Sequence, residues 1–280
     1  PKPQNPFQYF RAFFIILILL MNFGNGKPAL SNKDQAKVAD SFEDKINVSF
    51  VEGAQTKVGY LANIKQITLK DETGELEDAA VLLYFIEPNG SWFKARYIFN
   101  PYFYVLCDDP YLKEVVFALS RQFEKELVTI DEVAKEDLNL INHLSGKTQK
   151  YIRLVFRNLT DLSKVRFELH TQVKKNRIDR ETQNAYEGWH DAGDFAKGEK
   201  NINFLSKILD IREYDVSFHI RVMIDREFRC SLWYSVALEG PVMQSCTLLK
   251  EMLDKADLRI MAFDIETTKQ PLKFPDVKFD

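Results

Sequence analysis

Between residues 57 and 106 the apolar side chains come in short runs, and turn sequences cut the runs apart. Residues 57–69 carry Val58, Tyr60, Ile64 and Ile67, and Asp71-Glu72-Thr73-Gly74 ends them. A second run, 79–86, stops at Glu87-Pro88-Asn89-Gly90. Residues 92–99 then return, and 102–106 follow Pro101. Gly and Pro at such turns reverse the chain, so these runs read as strands of a small open barrel or sandwich.

The period then changes. Asp109 is placed to cap a helix with Pro110 at its first position, and Leu112, Val115, Val116, Leu119 and Phe123 fall on one helical face. Residues 128–133 read as a strand, followed by a loop around Asn142-His143-Leu144 and a second strand at 151–156. Thr160 is placed to cap a helix whose inner face carries Leu162, Val165, Leu169 and Val173. Strand, helix, strand, strand, helix is most of a ferredoxin-like split βαβ unit. Residues 191–200 are polar and read as a surface insertion, while 214–225 and 228–238 read as a hairpin turning at Asp225-Arg226-Glu227.

Composition excludes several classes. With 45% hydrophobic and 28% charged residues the 280-residue chain folds, and a net charge of −3 rules out a polycation while leaving a local basic groove open. Cys107, Cys230 and Cys246 are far apart and form no C-x-x-C pair, so neither a zinc knuckle nor a disulfide framework is supported. The apolar stretch 12–23, AFFIILILLMNF, is 12 residues long, short of the roughly 20 that a spanning helix needs. It reads as a gene-model artefact or a buried or partner-bound segment, with a signal peptide as the third alternative. Residues 24–44 read as a linker. The chain opens at Pro1 and stops at Asp280, as expected of a piece of a longer protein.

No G-x-S-x-G, P-loop or G-x-G-x-x-G is present, and His143, His170, His190 and His219 lack metal-ligand spacing. Lys174, Lys175, Arg177 and Arg180 form the densest basic run, either a solvated helix end or a set of phosphate contacts. Of the three Asp-x-Glu triplets, Asp179/Glu181 reads as part of a charged loop and Asp225/Glu227 as a turn. Asp264/Glu266 differs, because the apolar run Ile260-Met261-Ala262-Phe263 precedes it. Two carboxylates at i and i+2 share one face of a strand, and such oxygens suit hard divalent cations able to activate water for phosphodiester cleavage.

The stretch Phe263-Asp264-Ile265-Glu266-Thr267-Thr268-Lys269, followed by Pro271-Leu272-Lys273-Phe274-Pro275-Asp276, resembles the first exonuclease motif of the B-family DNA polymerases. Upstream segments resemble the same family in the same order: Pro101-Tyr102-Phe103-Tyr104, Lys135-Glu136-Asp137-Leu138 with Asn142-His143-Leu144, Tyr151-Ile152-Arg153-Leu154, Val173-Lys174-Lys175-Asn176-Arg177, and Arg212-Glu213-Tyr214-Asp215-Val216 with His219-Ile220-Arg221. The resemblance runs from about Gly59 to Asp280. It departs at Ser217, where Pro is expected, and residues 12–23 have no counterpart.

The resemblance implies an α+β chain: an unmatched extension and linker at 1–55, a polymerase N-terminal domain at 56–250 with an OB-like barrel and a ferredoxin/RRM-like subdomain, and from 251 to 280 the first strand of an RNase H-like exonuclease domain. It implies part of a replicative DNA-directed DNA polymerase with a 3′–5′ proofreading exonuclease, acting in leading-strand synthesis and repair in the nucleus. Asp264 and Glu266 would be catalytic ligands of Mg²⁺. Thr267, Lys269, Phe274 and Pro275 would contact the frayed strand, and Lys174, Lys175 and Arg177 would contact DNA elsewhere. Primer–template DNA, its single-stranded 3′ end, dNTPs, accessory subunits and the replisome are the implied partners, with no membrane. The family's iron–sulfur and zinc sites and its remaining carboxylates would lie beyond Asp280, so the 280-residue chain alone is expected to be inactive. Three other readings are a stand-alone RNA-binding module using Tyr102 and Tyr151, a stand-alone small nuclease, which would need more carboxylates after Glu266 than Asp276 and Asp280, and a non-catalytic docking domain.

Overall fold

The computed structural model of the chain describes residues 43, 48–71, 74, 76–136, 146–187 and 203–257. The strand runs of the sequence form a meander: β2 (Ala54–Lys70), β3 (Glu77–Ile86) and β4 (Trp92–Ile98). Each pairs antiparallel with the next. Far along the chain, β9 (Trp233–Glu239) and β10 (Val242–Leu248) return to the same sheet. β9 pairs antiparallel with β2 and with β10, and β10 meets β4 in parallel at Val242 and Arg96. The five strands therefore close on themselves. A two-residue strand, β1 (Ser49–Phe50), adds in parallel to β4.

Alternation along β3 divides its side chains between two faces. Ala79, Val81, Leu83 and Phe85 enter the enclosed core with Leu61, Phe93, Ala95, Val236 and Leu238. The rings of Phe85 and Phe93 stack at 4.9 Å, and a Cβ on Gly59 would lie 2.8 Å from Phe85 Cβ and 2.9 Å from the Phe93 ring. Glycine at 59 is what lets the backbone of β2 approach this stack.

Between β4 and β9 the chain builds a second layer: β5 (Tyr102–Cys107), α1 (Leu112–Gln122), β6 (Leu127–Glu136), β7 (Thr148–Phe156), α2 (Leu159–Glu187) and β8 (Ile208–Arg212). The sheet order is β6-β7-β5-β8 and every neighbouring pair is antiparallel. Leu112, Val115 and Leu119 of α1 and Val165 and Leu169 of α2 pack with Phe103, Val105, Ile152 and Leu154 on one face of that sheet. The expected strand–helix–strand–strand–helix succession is present. The layer is tied to the barrel where Ala79 N donates to Arg157 O at 3.0 Å and Arg157 Nε donates to Asp78 Oδ1 at 2.6 Å.

Several local expectations are corrected. Asp109 does not cap α1: Asp109–Tyr111 is a 3-10 turn containing Pro110, and the α-helix begins at Leu112. Asn158, not Thr160, caps α2, because its Oδ1 accepts from Asp161 N at 2.7 Å and its Nδ2 donates to Asp161 Oδ2 at 2.8 Å. Asp179 and Glu181 lie on α2 rather than in a loop. The largest difference is at 214–225, where Phe218–Asp225 is a helix, α3, and not a strand. The true hairpin is β9–β10, which turns through Gly240 at φ 57° and Pro241. Asp225-Arg226-Glu227 instead ends α3, with Glu227 at φ 56°.

The packing also crosses the expected domain edges. Position 55 falls inside β2, and Val48 and Val51 are buried. Leu249, Met252 and Ala256 pack on Tyr60, Ile86 and Trp233, whose Nε1 donates to Asp254 O at 2.5 Å. The apolar run 12–23, the loop around Asn142-His143-Leu144 and residues 191–200 lie outside the described residues.

Candidate functional site

Asp264, Glu266, Thr267, Lys269, Phe274 and Pro275 lie outside the described residues, as does the run 260–263 before them. The described structure shows what leads to them and what the matching upstream motifs do.

The basic run on α2 is split by the helix. Asn176 and Arg180 turn toward the sheet, while Lys174, Lys175 and Arg177 face solvent. Asn176 is 2% exposed, and its Nδ2 donates to Leu205 O at 2.7 Å and Ile208 O at 2.9 Å. Arg180 Nε donates to Asn176 O at 3.1 Å and its Nη2 reaches Ile208 O at 3.4 Å. These bonds seat the carbonyls that enter β8. Arg177 pairs with Glu181 at 3.0 Å on the exposed face, an i,i+4 pair contributing little to stability. Lys174 and Lys175 remain outward and available to phosphate. Asn176 was missed from the sequence, where it is hidden among cations. Its signal was position: it follows the inner-face Val173 by three residues.

The Arg212-Glu213-Tyr214-Asp215-Val216 and His219-Ile220-Arg221 segments build a charge network between the two layers. Arg221 is 7% exposed and its Nη1 donates to Glu213 Oε2 at 2.6 Å, while Lys135 Nζ donates to Glu213 Oε1 at 2.5 Å. Burial alone would raise the Glu213 carboxyl, but hydrogen bonds from Lys135 and Arg221 hold it below the ordinary glutamate value. Arg221 also lies over the Tyr102 ring at 4.7 Å, with Arg153 near the same ring at 5.6 Å. Tyr102 Oη donates to Asp225 Oδ2 at 2.6 Å, and burial with that bond pushes its phenol well above the ordinary value. Asp225 of the second Asp-x-Glu triplet is therefore an acceptor at this junction.

This network bears on the RNA-binding reading. Tyr151 is 4% exposed and Tyr104 6% exposed, with Lys135 over the Tyr104 ring at 4.2 Å. Tyr102 is flanked by two arginines of its own chain. The aromatics that would stack bases already have partners within the chain.

No group of three or more His, Cys, Asp or Glu side chains able to hold a metal ion occurs among the described residues. Cys107 is buried and Cys230 and Cys246 are half-buried, and desolvation pushes Cys107 up to about 11 and Cys246 up to about 12, and raises Cys230. No helix among the described residues is long and apolar enough to cross a membrane.

Residues 209–280, which start in β8 and run through the whole Arg212–Arg221 network to the Asp264/Glu266 pair, match the family described as DNA polymerase family B, exonuclease domain. The match thus spans the Asp264/Glu266 pair and the elements that lead into it. Relatives over the longer stretch include catalytic subunits of one such enzyme, DNA polymerase epsilon. The chain is 36% identical over 244 residues to a catalytic subunit of this polymerase from Arabidopsis thaliana, and 38% identical over 250 residues to its counterpart from Yarrowia lipolytica, with 86% of this chain covered in each case. It is 38% identical over 239 residues to the counterpart from Schizosaccharomyces pombe, covering 82% of this chain. The chain is homologous to a stretch of these subunits and spans about a tenth of their length, 10–11%. A family B DNA polymerase structure from the hyperthermophilic archaeon Pyrobaculum calidifontis aligns over 69% of this chain and 21% of its own at 13% identity, with a TM-score of 0.39, too distant to support an inference.

Proposed function

We propose that this chain is the N-terminal part of a replicative DNA-directed DNA polymerase, and that it contributes Asp264 and Glu266 to a 3′–5′ proofreading exonuclease. The observation that carries this reading is that the exonuclease-domain match, 209–280, contains both carboxylates. In this reading the closed barrel is OB-like: numbered along the barrel alone its strands follow the order 1-2-3-5-4, with the inserted layer between the third and fourth. The inserted layer is ferredoxin/RRM-like, since its sheet order, counted along the insert, is 2-3-1-4. Residues 251–280 then begin an RNase H-like exonuclease domain.

Two carboxylates offer the hard oxygen donors that suit Mg²⁺. When bound, Mg²⁺ would polarise the attacking water and stabilise the leaving oxygen. Asp264 and Glu266 would fix the metal's position from one strand face, and further carboxylates from a longer chain would complete the site. Thr267, Lys269, Phe274 and Pro275 would guide the single-stranded 3′ end. Lys174, Lys175 and Arg177 would meet DNA phosphates on the outer face of α2. Primer–template DNA, dNTPs, accessory subunits and a nuclear location follow from the same reading, and the family's iron–sulfur and zinc sites would belong to other parts of the enzyme. The test is excision of a mismatched 3′ end by the full-length enzyme with and without the two carboxylates. Normal excision without them would overturn the assignment.

A further inference from the structure

On the outer side of the barrel, β4 presents Trp92, Lys94 and Arg96 in one row, at i, i+2 and i+4. Across the ladder they face Ile86, Tyr84 and Leu82 of β3. The chain's own N-terminal segment lies on this row. Glu43 Oε2 accepts from Lys94 Nζ at 2.7 Å and Glu43 Oε1 accepts from Tyr84 Oη at 2.5 Å. The Phe50 ring is contacted by Lys94 at 4.8 Å and by the Arg96 guanidinium at 4.4 Å. Val48 and Phe50 pack on Leu82 and Tyr84.

We propose that this outer face, with Tyr84, Trp92, Lys94 and Arg96, is a binding site for single-stranded nucleic acid that Glu43 and Phe50 fill in the present structure. A carboxylate between an ammonium and a phenol occupies the place of a phosphate oxygen, and a ring under two cations occupies the place of a stacked base. Arg96 Nε is buried without a hydrogen-bond partner among the described residues, so the covered state leaves a donor that a phosphate would satisfy. Trp92, 37% exposed at the end of the row, extends the stacking platform.

Val48 is buried beside the cover, but the cover's backbone hold is slight. Its ladder is two residues long, Ser49 with Phe93 and Phe50 with Lys94. A buried ion pair such as Glu43–Lys94 recovers little more than its desolvation cost, so it specifies the seat of the segment more than it fastens it. Only the choice of ligand class rests on the OB-like reading of the barrel. The site uses neither Asp264 nor Glu266 and needs no metal.

The experiment is fluorescence anisotropy of a labelled oligothymidylate with the full chain in EDTA. The double variant Glu43→Gln, Phe50→Ala, which frees the row without adding a charge, should bind about tenfold more tightly than wild type, with a steeper salt dependence. Adding Lys94→Ala and Arg96→Ala should return it to the wild-type value. A folded double variant with wild-type affinity overturns the proposal. So does a gain that survives loss of both cations, or equal competition by polyglutamate, which would mark an acidic-peptide site. Should the double variant fail to fold, hydrogen exchange on the wild type decides. Excess oligonucleotide should speed exchange at Ser49 and Phe50, and unchanged exchange overturns the proposal. None of these outcomes touches the exonuclease assignment, which is read by metal-dependent excision.

Discussion

Arg221 and Glu213 form a 2.6 Å ion pair across the turn between β8 and α3, and the arginine side chain is 8% exposed against 34% for the glutamate. The pair holds α3 over the junction of barrel and inserted layer, because the same guanidinium covers Tyr102 on β5. Arg221→Ala is expected to destabilise the chain by about 2–3 kcal/mol in urea unfolding, less than for a fully buried pair because Glu213 retains Lys135. A change under about 0.5 kcal/mol would mean that the pair is ornamental.

The same glutamate sets a pH dependence. Its folded carboxyl titrates below the ordinary value, so the unfolded state binds the proton more readily. Its contribution is complete above the ordinary glutamate pKa and is lost as pH falls through the folded value. Glu213→Gln should therefore flatten the acid limb of the stability curve, with its largest effect near neutrality. Equal losses at neutral and strongly acidic pH would disprove the charge-based account.

Asn176 and its lysine neighbours should separate cleanly. Asn176→Leu strands two carbonyls, on Leu205 and Ile208, and should cost about 2 kcal/mol of stability. Lys174→Ala with Lys175→Ala should change stability by less than about 0.5 kcal/mol. If both lysines meet phosphate, that double variant should lower the salt slope of DNA binding by roughly one per lysine.

Gly59→Ala places a methyl group against the Phe85–Phe93 stack and should cost about 1–3 kcal/mol. Combining it with Phe93→Leu should be less damaging than the sum of the two single changes, because the shortened side chain makes room. Simple additivity in thermal unfolding would show that Gly59 acts through something other than this contact.

Under the exonuclease role proposed for this chain, Asp264→Ala with Glu266→Ala in the full-length protein should lower excision of a mismatched 3′ end by about three orders of magnitude or more and leave extension of a matched end little changed. Loss of both activities together would point to a structural strand.

The turns at 71–74 and 87–90 and the continuous apolar run 79–86 between them marked out the strands of the meander, since turn chemistry and run length are local properties. The inner faces of α1 and α2 were legible for the same reason, through Val115, Leu119, Val165 and Leu169. The Asp264/Glu266 pair was singled out from the sequence alone, by carboxylate spacing after an apolar run, and it lies outside the described residues. Closure of the barrel was not legible, because β9 and β10 reach β2 and β4 from more than a hundred residues away. Nor was α3. Phe218, Ile220, Val222 and Ile224 alternate like a strand, yet Phe218 and Val222 are buried while Ile220 and Ile224 are 40% and 62% exposed. Four apolar residues satisfy either period, and the choice fell to which pair found a core to fill. Long-range packing likewise turned Asn176 and Arg180 inward and left Lys174, Lys175 and Arg177 outside. A basic run reads the same on both faces until a neighbouring strand supplies carbonyls to one of them.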